Sequence, residues 1–499
     1  MHSLRSHMSQ PRTRTIRKAG LAGYGVLACA LAIALPAGAQ SRSNDALVQD
    51  LLRRIEALER RLGEAPPAAG ASAAAIENRL QALEVQSTET VALAREAEVS
   101  AKQAVASAKS SDAPKVTLEA SKGLGFKAGA LEVKLRGLVQ GDGRFFIDDD
   151  GAYNDGFLFR RVRPTLEGSW GELIGFRLTP EFAGDSATLV DAYVDLKFDP
   201  RATVRIGKVK GPIGLERLQG GGATAFIERG FPTELAPNRD LGVQLQGAFS
   251  DARVAYTVGV YNGTADGRDG PSTNPDNDFE WAGRLFLEPW KGSDSALAGL
   301  GFGVAGSIGD KRGSGNAFLP RYRSQGQNPF FNYRSAVLAD GEHSRWSPQG
   351  YYYHGAFGVL AEYIRSSQEL REPVSGTRGA FDNQAWQLVA SYVLTGEKAG
   401  YRGVTRPNQP FTVGGAGWGA FELAARYGRL EVDEDAFPVF ADPNAVSDSA
   451  RSWGLGLNWY LNENLKLVTN YTHTRFGAAV GGAPRDEEKT LFTRAQFSF

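Results

Sequence analysis

The chain changes its hydrophobic period twice. From Leu21 to Leu35 the residues are apolar without a break, preceded by Arg5, Arg12, Arg14, Arg17 and Lys18 and followed by the small residues Ala37, Gly38 and Ala39. That is the layout of a secretory signal covering residues 1–39. Attachment of a lipid at Cys29 is the weaker reading, because an apolar run continues beyond the cysteine. From Asn44 to Leu62, Val48, Leu51, Ile55, Leu58 and Leu62 alternate spacings of three and four between charged flanks, the a/d seam of a coiled coil. Pro66 and Pro67 interrupt the seam, and a second phase through Ile76, Leu80 and Leu83 thins to alanine by Ala108. The expected coiled-coil segment is therefore 44–110, with an Ala-rich spacer as the other reading of its second half.

Beyond Pro114 the period becomes two. Trp453, Leu455, Leu457 and Trp459 share one face, and Ser452, Gly454, Gly456 and Asn458 the other. The same alternation runs through Val254–Val260, Leu300–Val304, Trp386–Leu394, Phe421–Tyr427 and Leu491–Phe499. A β-sandwich also alternates, but here the segments are about ten residues long and carry aromatics at their ends. Short turns such as 461–464 also alternate with long polar excursions such as Asn262–Asp278 and Lys311–Ser347. Together these predict an all-β transmembrane barrel over 116–499. Strand starts fall near Leu131, Phe157, Gly175, Leu189, Thr203, Leu241, Arg253, Trp281, Gly299, Ser347, Phe357, Trp386, Trp418, Arg451, Leu465 and Lys489, about sixteen antiparallel strands.

Composition narrows the function. The single cysteine lies in the signal, which excludes a disulfide or a cysteine metal site in the exported chain, and no cofactor is expected. Lysine plus arginine balance aspartate plus glutamate at 56 each, but the signal holds five bases and no acid, leaving the rest at about −5, which argues against nucleic acid. Of the histidines, His343, His354 and His473 remain after the signal, and none sits beside a serine on one strand face, so no catalytic residue is expected. A wide barrel leaves a water-filled bore, whose selectivity lies in what narrows and charges it.

Two stretches carry that chemistry. Residues 211–237 join two strands yet contain Ile213, Leu215, Phe226, Ile227 and Phe231. Folding this loop inward shelters them and presents Glu216, Arg217, Glu228 and Arg229 to the pore; a loop at a trimer interface is the alternative. The second stretch holds Arg160, Arg161 and Arg163. Counting faces backward from Trp170 puts Arg161 and Arg163 in the lumen, whereas counting forward from Phe157 and Phe159 puts Arg161 in lipid at a cost of roughly 2–4 kcal/mol. The conflict predicts a bulge around Phe159–Arg161. Arg321, Arg323 and Arg334, in the long excursion, line a vestibule or are solvated loop charges.

The segments FRR at Phe159–Arg161, IGKVKGPIGLER at Ile206–Arg217, IERG at Ile227–Gly230, SYVLTGE at Ser391–Glu397, FELAARY at Phe421–Tyr427 and LGLNWYLNEN at Leu455–Asn464 resemble the phosphate-selective porins O and P. The resemblance runs over nearly all of the chain after Gly137. It implies a homotrimer of sixteen-stranded outer-membrane barrels, a third loop folded into the bore, and basic residues guiding phosphate-like anions. The family's paired constriction arginines fall on Arg160 and Arg161, and its arginine ladder on Arg321 and Arg323. The chain departs where phosphate-binding members carry lysine after the GLE motif: here Arg217 leads through Leu218 and Gln219 into Gly220–Gly222. A reduced positive charge at the eyelet is expected. Passive diffusion of small anions is thus the expected function. A weakly selective general porin is the alternative, as is an envelope tether reaching peptidoglycan through a periplasmic coiled coil.

Overall fold

The computed structural model describes residues 114–119 and 123–499. The signal at 1–39 and the coiled coil at 44–110 lie outside the described residues. The first strands are β1 (Lys115–Glu119), β2 (Gly123–Ala128), β3 (Leu131–Ile147), β4 (Gly156–Trp170), β5 (Ile174–Glu181), β6 (Thr188–Asp199) and β7 (Ala202–Lys210). Two one-turn helices follow, α1 (Leu215–Leu218) and α2 (Pro232–Leu235). Next come β8 (Arg239–Phe249), β9 (Val254–Tyr261), β10 (Glu280–Leu287), β11 (Leu300–Gly313), β12 (Arg321–Arg323) and β13 (Pro329–Asn332). The chain ends with β14 (Leu338–His354), β15 (Phe357–Arg371), β16 (Arg378–Val393), β17 (Ala420–Glu431), β18 (Ser449–Tyr460), β19 (Leu465–Phe476) and β20 (Glu488–Ser498).

Sixteen of these, β3–β11 and β14–β20, form a closed antiparallel barrel in which each strand pairs with its chain neighbours and β20 returns to β3. Closure removes the sheet edges, which in lipid would leave unpaired backbone groups. The seam is finished by Phe499, whose backbone exchanges bonds of 3.0 and 3.1 Å with Gly137. A Cβ at Gly137 would lie 2.2 Å from the Phe499 ring, so the last aromatic needs the missing side chain. β3 outruns β20, and its first five residues, Leu131–Leu135, pair with β2 instead, while β1 pairs with β2. These two added strands and the β12–β13 hairpin were absent from the sixteen expected segments.

Strand alternation sorts the side chains. Leu423, Tyr427, Trp453, Leu455, Leu457 and Trp386 are exposed on the outside, whereas Glu422, Arg426, Ser452, Asn458 and Gln387 on the opposite parity are buried in the lumen. An apolar exterior over a polar interior is the inversion a lipid-embedded barrel requires. No helix among the described residues is long and apolar enough to cross a membrane. Fourteen of the expected strand starts fall within about two residues of the observed ones. β14 and β16 begin earlier, at Leu338 and Arg378 rather than near Ser347 and Trp386, because their first turns of strand are polar and read as loop.

Short connections such as 171–173, 200–201 and 355–356 gather at one end, and long ones such as 211–238, 314–337 and 432–448 at the other. Residues 394–419 break the pattern, a long excursion at the short-turn end. A buried apolar cluster fills part of the bore: Ile213, Phe231 and Leu235 from 211–238, Phe318, Tyr322, Phe330 and Phe331 from 314–337, and Phe440 from 432–448. They pack on Ile364, Phe381 and Leu430 of the wall. These three loops turn inward where one was expected, and a fourth, 262–279, buries Thr264, Ala265 and Asp266 in the same bore.

Candidate functional site: a basic cavity under the inward loop

The sequence of 211–238 explains its course. Gly214 takes φ +83°, a left-handed turn that glycine adopts at little cost, and α1 follows. A one-turn helix leaves its end groups unpaired, and the wall supplies partners. Glu362 of β15 accepts from the Leu215 and Glu216 amides at 2.5 and 3.3 Å. At the other end Lys210 Nζ donates to the carbonyls of Arg217, Leu218 and Gln219 at 2.6, 3.4 and 3.1 Å.

Residues 221–228 then cross the inner wall, bonded at almost every step. Gln140 and Gln496 donate to the carbonyls of Gly221 and Gly222 at 3.0 and 3.1 Å. Lys466 donates to Thr224 (3.1 Å), Asn458 to Ala225 (3.0 Å) and Arg426 to Glu228 (2.8 Å), while Asn470 accepts from the Ile227 amide at 2.7 Å. Phe226 lies under Gly454 and Gly456, where added Cβ atoms would meet its ring at 3.1 and 3.6 Å, and the Arg426 guanidinium sits 4.3 Å from the ring centroid. The small lumenal face of β18 is the socket for this ring. From the short-turn end Tyr401 reaches the same loop, donating from its hydroxyl to the Leu215 carbonyl at 2.5 Å and accepting from Gln219 at 2.6 Å.

The β3–β4 register slips between Gln140, which faces Arg161, and Gly141, which faces Phe159, leaving Arg160 as the extra residue. The bulge lies where the parity conflict put it. Phe157 and Phe159 stay outside, and Arg160, Arg161 and Arg163 all line a lumenal cavity of about 790 Å³. Its walls also carry Arg177, Arg205, Lys210, Arg217, Arg229, Arg239, Arg268, Arg284 and Arg323, twelve basic side chains against the acids Glu181, Asp191 and Asp269.

Six of the twelve have carboxylate partners. Arg160 bonds Glu228 through Nε and Nη2 at 2.6 and 3.1 Å, Arg163 meets Glu181 at 2.6 Å, and Arg239 meets Asp191 at 2.9 Å. Arg205 holds Asp195 at 2.7 and 2.9 Å and lies 3.8 Å over Tyr193, Arg323 holds Glu234 at 3.2 Å, and Arg177 pairs with Glu167. The other six, Arg161, Lys210, Arg217, Arg229, Arg268 and Arg284, form no ion pair among the described residues and bond to carbonyls or amides. Arg161 Nη1 donates to Gln140 at 2.6 Å, and Arg229 to the carbonyls of Glu216 and Gln219 at 2.9 and 2.7 Å. The Nε atoms of Arg161, Arg217 and Arg268 are buried without a hydrogen-bond partner among the described residues.

Loop electrostatics follow from this crowding. Burial, reinforced by Arg229, pushes Arg217 down to about 9, and burial only partly offset by Glu216 pushes Arg229 down to about 10. Both stay charged at neutral pH. Burial raises the Glu228 carboxyl, but the field and hydrogen bond of Arg160, with Arg161 and Arg494, outweigh it and hold the group well below the usual carboxylate range.

Several expectations are corrected by this geometry. Glu216 does not face the open bore: it accepts from the Gly230 amide of its own loop and from Gln387 of β16, both at 2.8 Å. Glu228 is likewise buried against Arg160 rather than presented to the pore. Arg321 is exposed and does not line the cavity, and Arg334 pairs with Asp442 at 3.3 Å away from it. The reduced positive charge expected from Gly220–Gly222 does not describe the cavity, because wall arginines supply what the loop lacks. Those glycines serve as a docking strip: a Cβ at Gly221 would lie 2.9 Å from Arg161 Nε. Reading the sequence missed Arg177, Arg205, Lys210, Arg239, Arg268 and Arg284. For Arg177, Arg205 and Arg284 a signal existed, a base between apolar residues on the lumenal parity of a strand.

One histidine also departs from expectation. His343 Nε2 lies 2.9 Å from Ser366 Oγ across the β14–β15 pair, with Asp266 3.3 Å from the same nitrogen. A hydrolytic triad needs the acid on the other ring nitrogen, and here that atom faces Arg345 at 3.4 Å. Ser366 and His343 are 0% exposed, so the trio is buried packing.

A closed sixteen-stranded barrel, apolar outside and polar within, its bore narrowed by an inward loop, is an outer-membrane porin. The chain belongs to the phosphate-selective porin O and P family, whose sequence profile matches residues 133–499. Porin O of Pseudomonas aeruginosa is 25% identical over 403 residues, covering 73% of this chain and 88% of that one. An uncharacterized protein of Caulobacter vibrioides is 27% identical over 368 residues, 69% of each chain. Among solved structures, the outer membrane channel DcaP of Acinetobacter baumannii matches at TM-score 0.48 and 13% identity, covering 75% of this chain and 99% of that one. The anion-selective porin of Comamonas acidovorans matches at TM-score 0.44 and 13% identity, covering 74% of this chain and all of the other.

Proposed function

We propose that this porin passes small anions, phosphate among them, by diffusion through the basic cavity beneath the inward loop. The observation that carries the reading is the set of six basic side chains around one cavity without carboxylate partners among the described residues. A passing anion supplies the countercharge they lack, and their spread over several elements favours a series of weak sites from which an ion can leave. In this reading Arg160, Arg161, Arg217 and Arg229, at the seam of loop and wall, meet the anion, with Arg163 and Arg323 lining the same cavity; Arg321 is left out of this assignment. The same reading retains the homotrimer and the periplasmic coiled coil expected from the sequence.

The test is a titration of phosphate into the chloride current of the purified protein in a planar bilayer. Saturable reduction of chloride current marks phosphate occupancy of the cavity. A current that only adds phosphate conductance to chloride conductance would make this a general porin without a phosphate site.

A further inference from the structure

Outside the lumen, the register of the last strands places three arginines side by side. Arg429 of β17 is directly opposite Arg451 of β18, and Arg451 directly opposite Arg475 of β19. All three are exposed on the outer parity, near the long-loop end. Like charges directly opposite on neighbouring strands destabilise a sheet in water. The flanking members have acids, Glu431 at 2.7 Å from Arg429 and Glu487 at 2.6 Å from Arg475, the latter shared with His473 at 2.6 Å. Arg451, in the centre, has no carboxylate partner among the described residues. Lys489, opposite His473 and paired with Asp148 at 3.0 Å, adds a fourth base nearby.

Two residues nearer the membrane on the same strands stand Tyr427, Trp453 and His473, again mutually opposite, with Trp453 5.4 Å from Tyr471 and 5.8 Å from His473 between ring centroids. Below them come Leu455 and Leu457. The order from apolar band to aromatic belt to arginine row is the order of acyl chain, interface and headgroup in a leaflet. The long-loop end of such a barrel is extracellular, so the leaflet is the outer one.

We propose that Arg429, Arg451 and Arg475 form a binding site for the phosphate groups of an outer-leaflet lipid headgroup, whose acyl chains lie along the apolar wall beneath. Guanidinium suits the task, since it stays charged and bonds phosphate through two parallel donors. A phosphate bridging Arg451 to either neighbour turns a repulsive row into a neutralised one.

The experiment is native mass spectrometry of the full protein released from nanodiscs containing bis-phosphorylated lipid A, compared with the same lipid stripped of phosphate. For wild type, retained phosphorylated lipid and little retained stripped lipid are expected. The Arg429→Gln, Arg451→Gln, Arg475→Gln triple variant should retain roughly tenfold less, the effect of losing charge-assisted bonds. Arg451→Gln alone should show part of the loss, which keeps the test decisive if the triple variant fails to insert. Unchanged bilayer conductance establishes that the variants fold. Equal retention by wild type and variants, or equal retention of the stripped lipid, overturns the proposal. So does displacement of lipid A by millimolar inorganic phosphate, which would make this a free-anion site.

Discussion

Replacing Arg161 by glutamine removes a charge that has no ion-pair partner among the described residues. Arg161 is 4% exposed, its Nη1 donates to Gln140, and the other charges acting on it include Arg160, Arg163, Arg229 and Arg494. An ion passing ~6 Å from the guanidinium in a water-filled bore feels about 0.7 kcal/mol, reduced by screening to about 0.4 kcal/mol in ~0.1 M salt. That shifts occupancy roughly twofold for each ion, in opposite senses, so the anion-to-cation permeability ratio should fall about fourfold. Removing a cation from a crowd of cations should also leave stability unchanged or slightly higher, since glutamine can keep a bond to Gln140. The assay pairs the reversal potential in a planar bilayer with the temperature at which the folded barrel unfolds on a gel. An unchanged permeability ratio, or a loss of stability with it, would refute the view that Arg161 acts as an unneutralised lumenal charge.

Glu228→Gln should act in the opposite sense, raising the permeability ratio about fourfold while costing about 3 kcal/mol of stability, the low end for a broken buried pair because Arg160 stays part-exposed, read by urea unfolding. Because the folded carboxyl lies below its unfolded value of about 4.3, its stabilisation is present above that pH and lost as pH falls through the folded value; the wild-type and Glu228→Gln unfolding curves should stay a constant distance apart from pH 8 to about 5 and converge only in strong acid. Gly230→Ala places a Cβ 1.8 Å from Gln387 Oε1, so it should displace the amide that bridges Glu216 and Glu362 and raise single-channel conductance as the loop loosens. Deleting residues 44–110 should leave conductance intact in reconstituted protein, whereas a protein that serves only as a tether would show no channel to preserve.

The barrel was legible because strand alternation and turn length are local properties. Trp453–Trp459 announces its two faces without any knowledge of its neighbours, and the clash of parities at Phe159–Arg161 is itself local, so the bulge could be placed from the sequence. What escaped is pairwise. Glu216 and Glu228 look like pore charges until Gln387 and Arg160 are found opposite them, and nothing in the sequence links those partners. The inward turn of 314–337 and 432–448 was hidden because Phe330–Phe331 sits between Gln327–Asn328 and Asn332, and Phe440 in a stretch with Asp433, Glu434, Asp435 and Asp442, so both read as exposed loop. Tyr401 escaped for a different reason: short-turn connections are expected to be short, and 394–419 is not. The basic wall was underestimated because single arginines on separate strands, such as Arg177, Arg205 and Arg284, converge only when the barrel closes.

The most direct test of an anion-conducting basic cavity is the reversal potential of the wild-type protein across a planar bilayer under a KCl gradient. A potential set by chloride is the predicted result; one set by potassium would contradict the account.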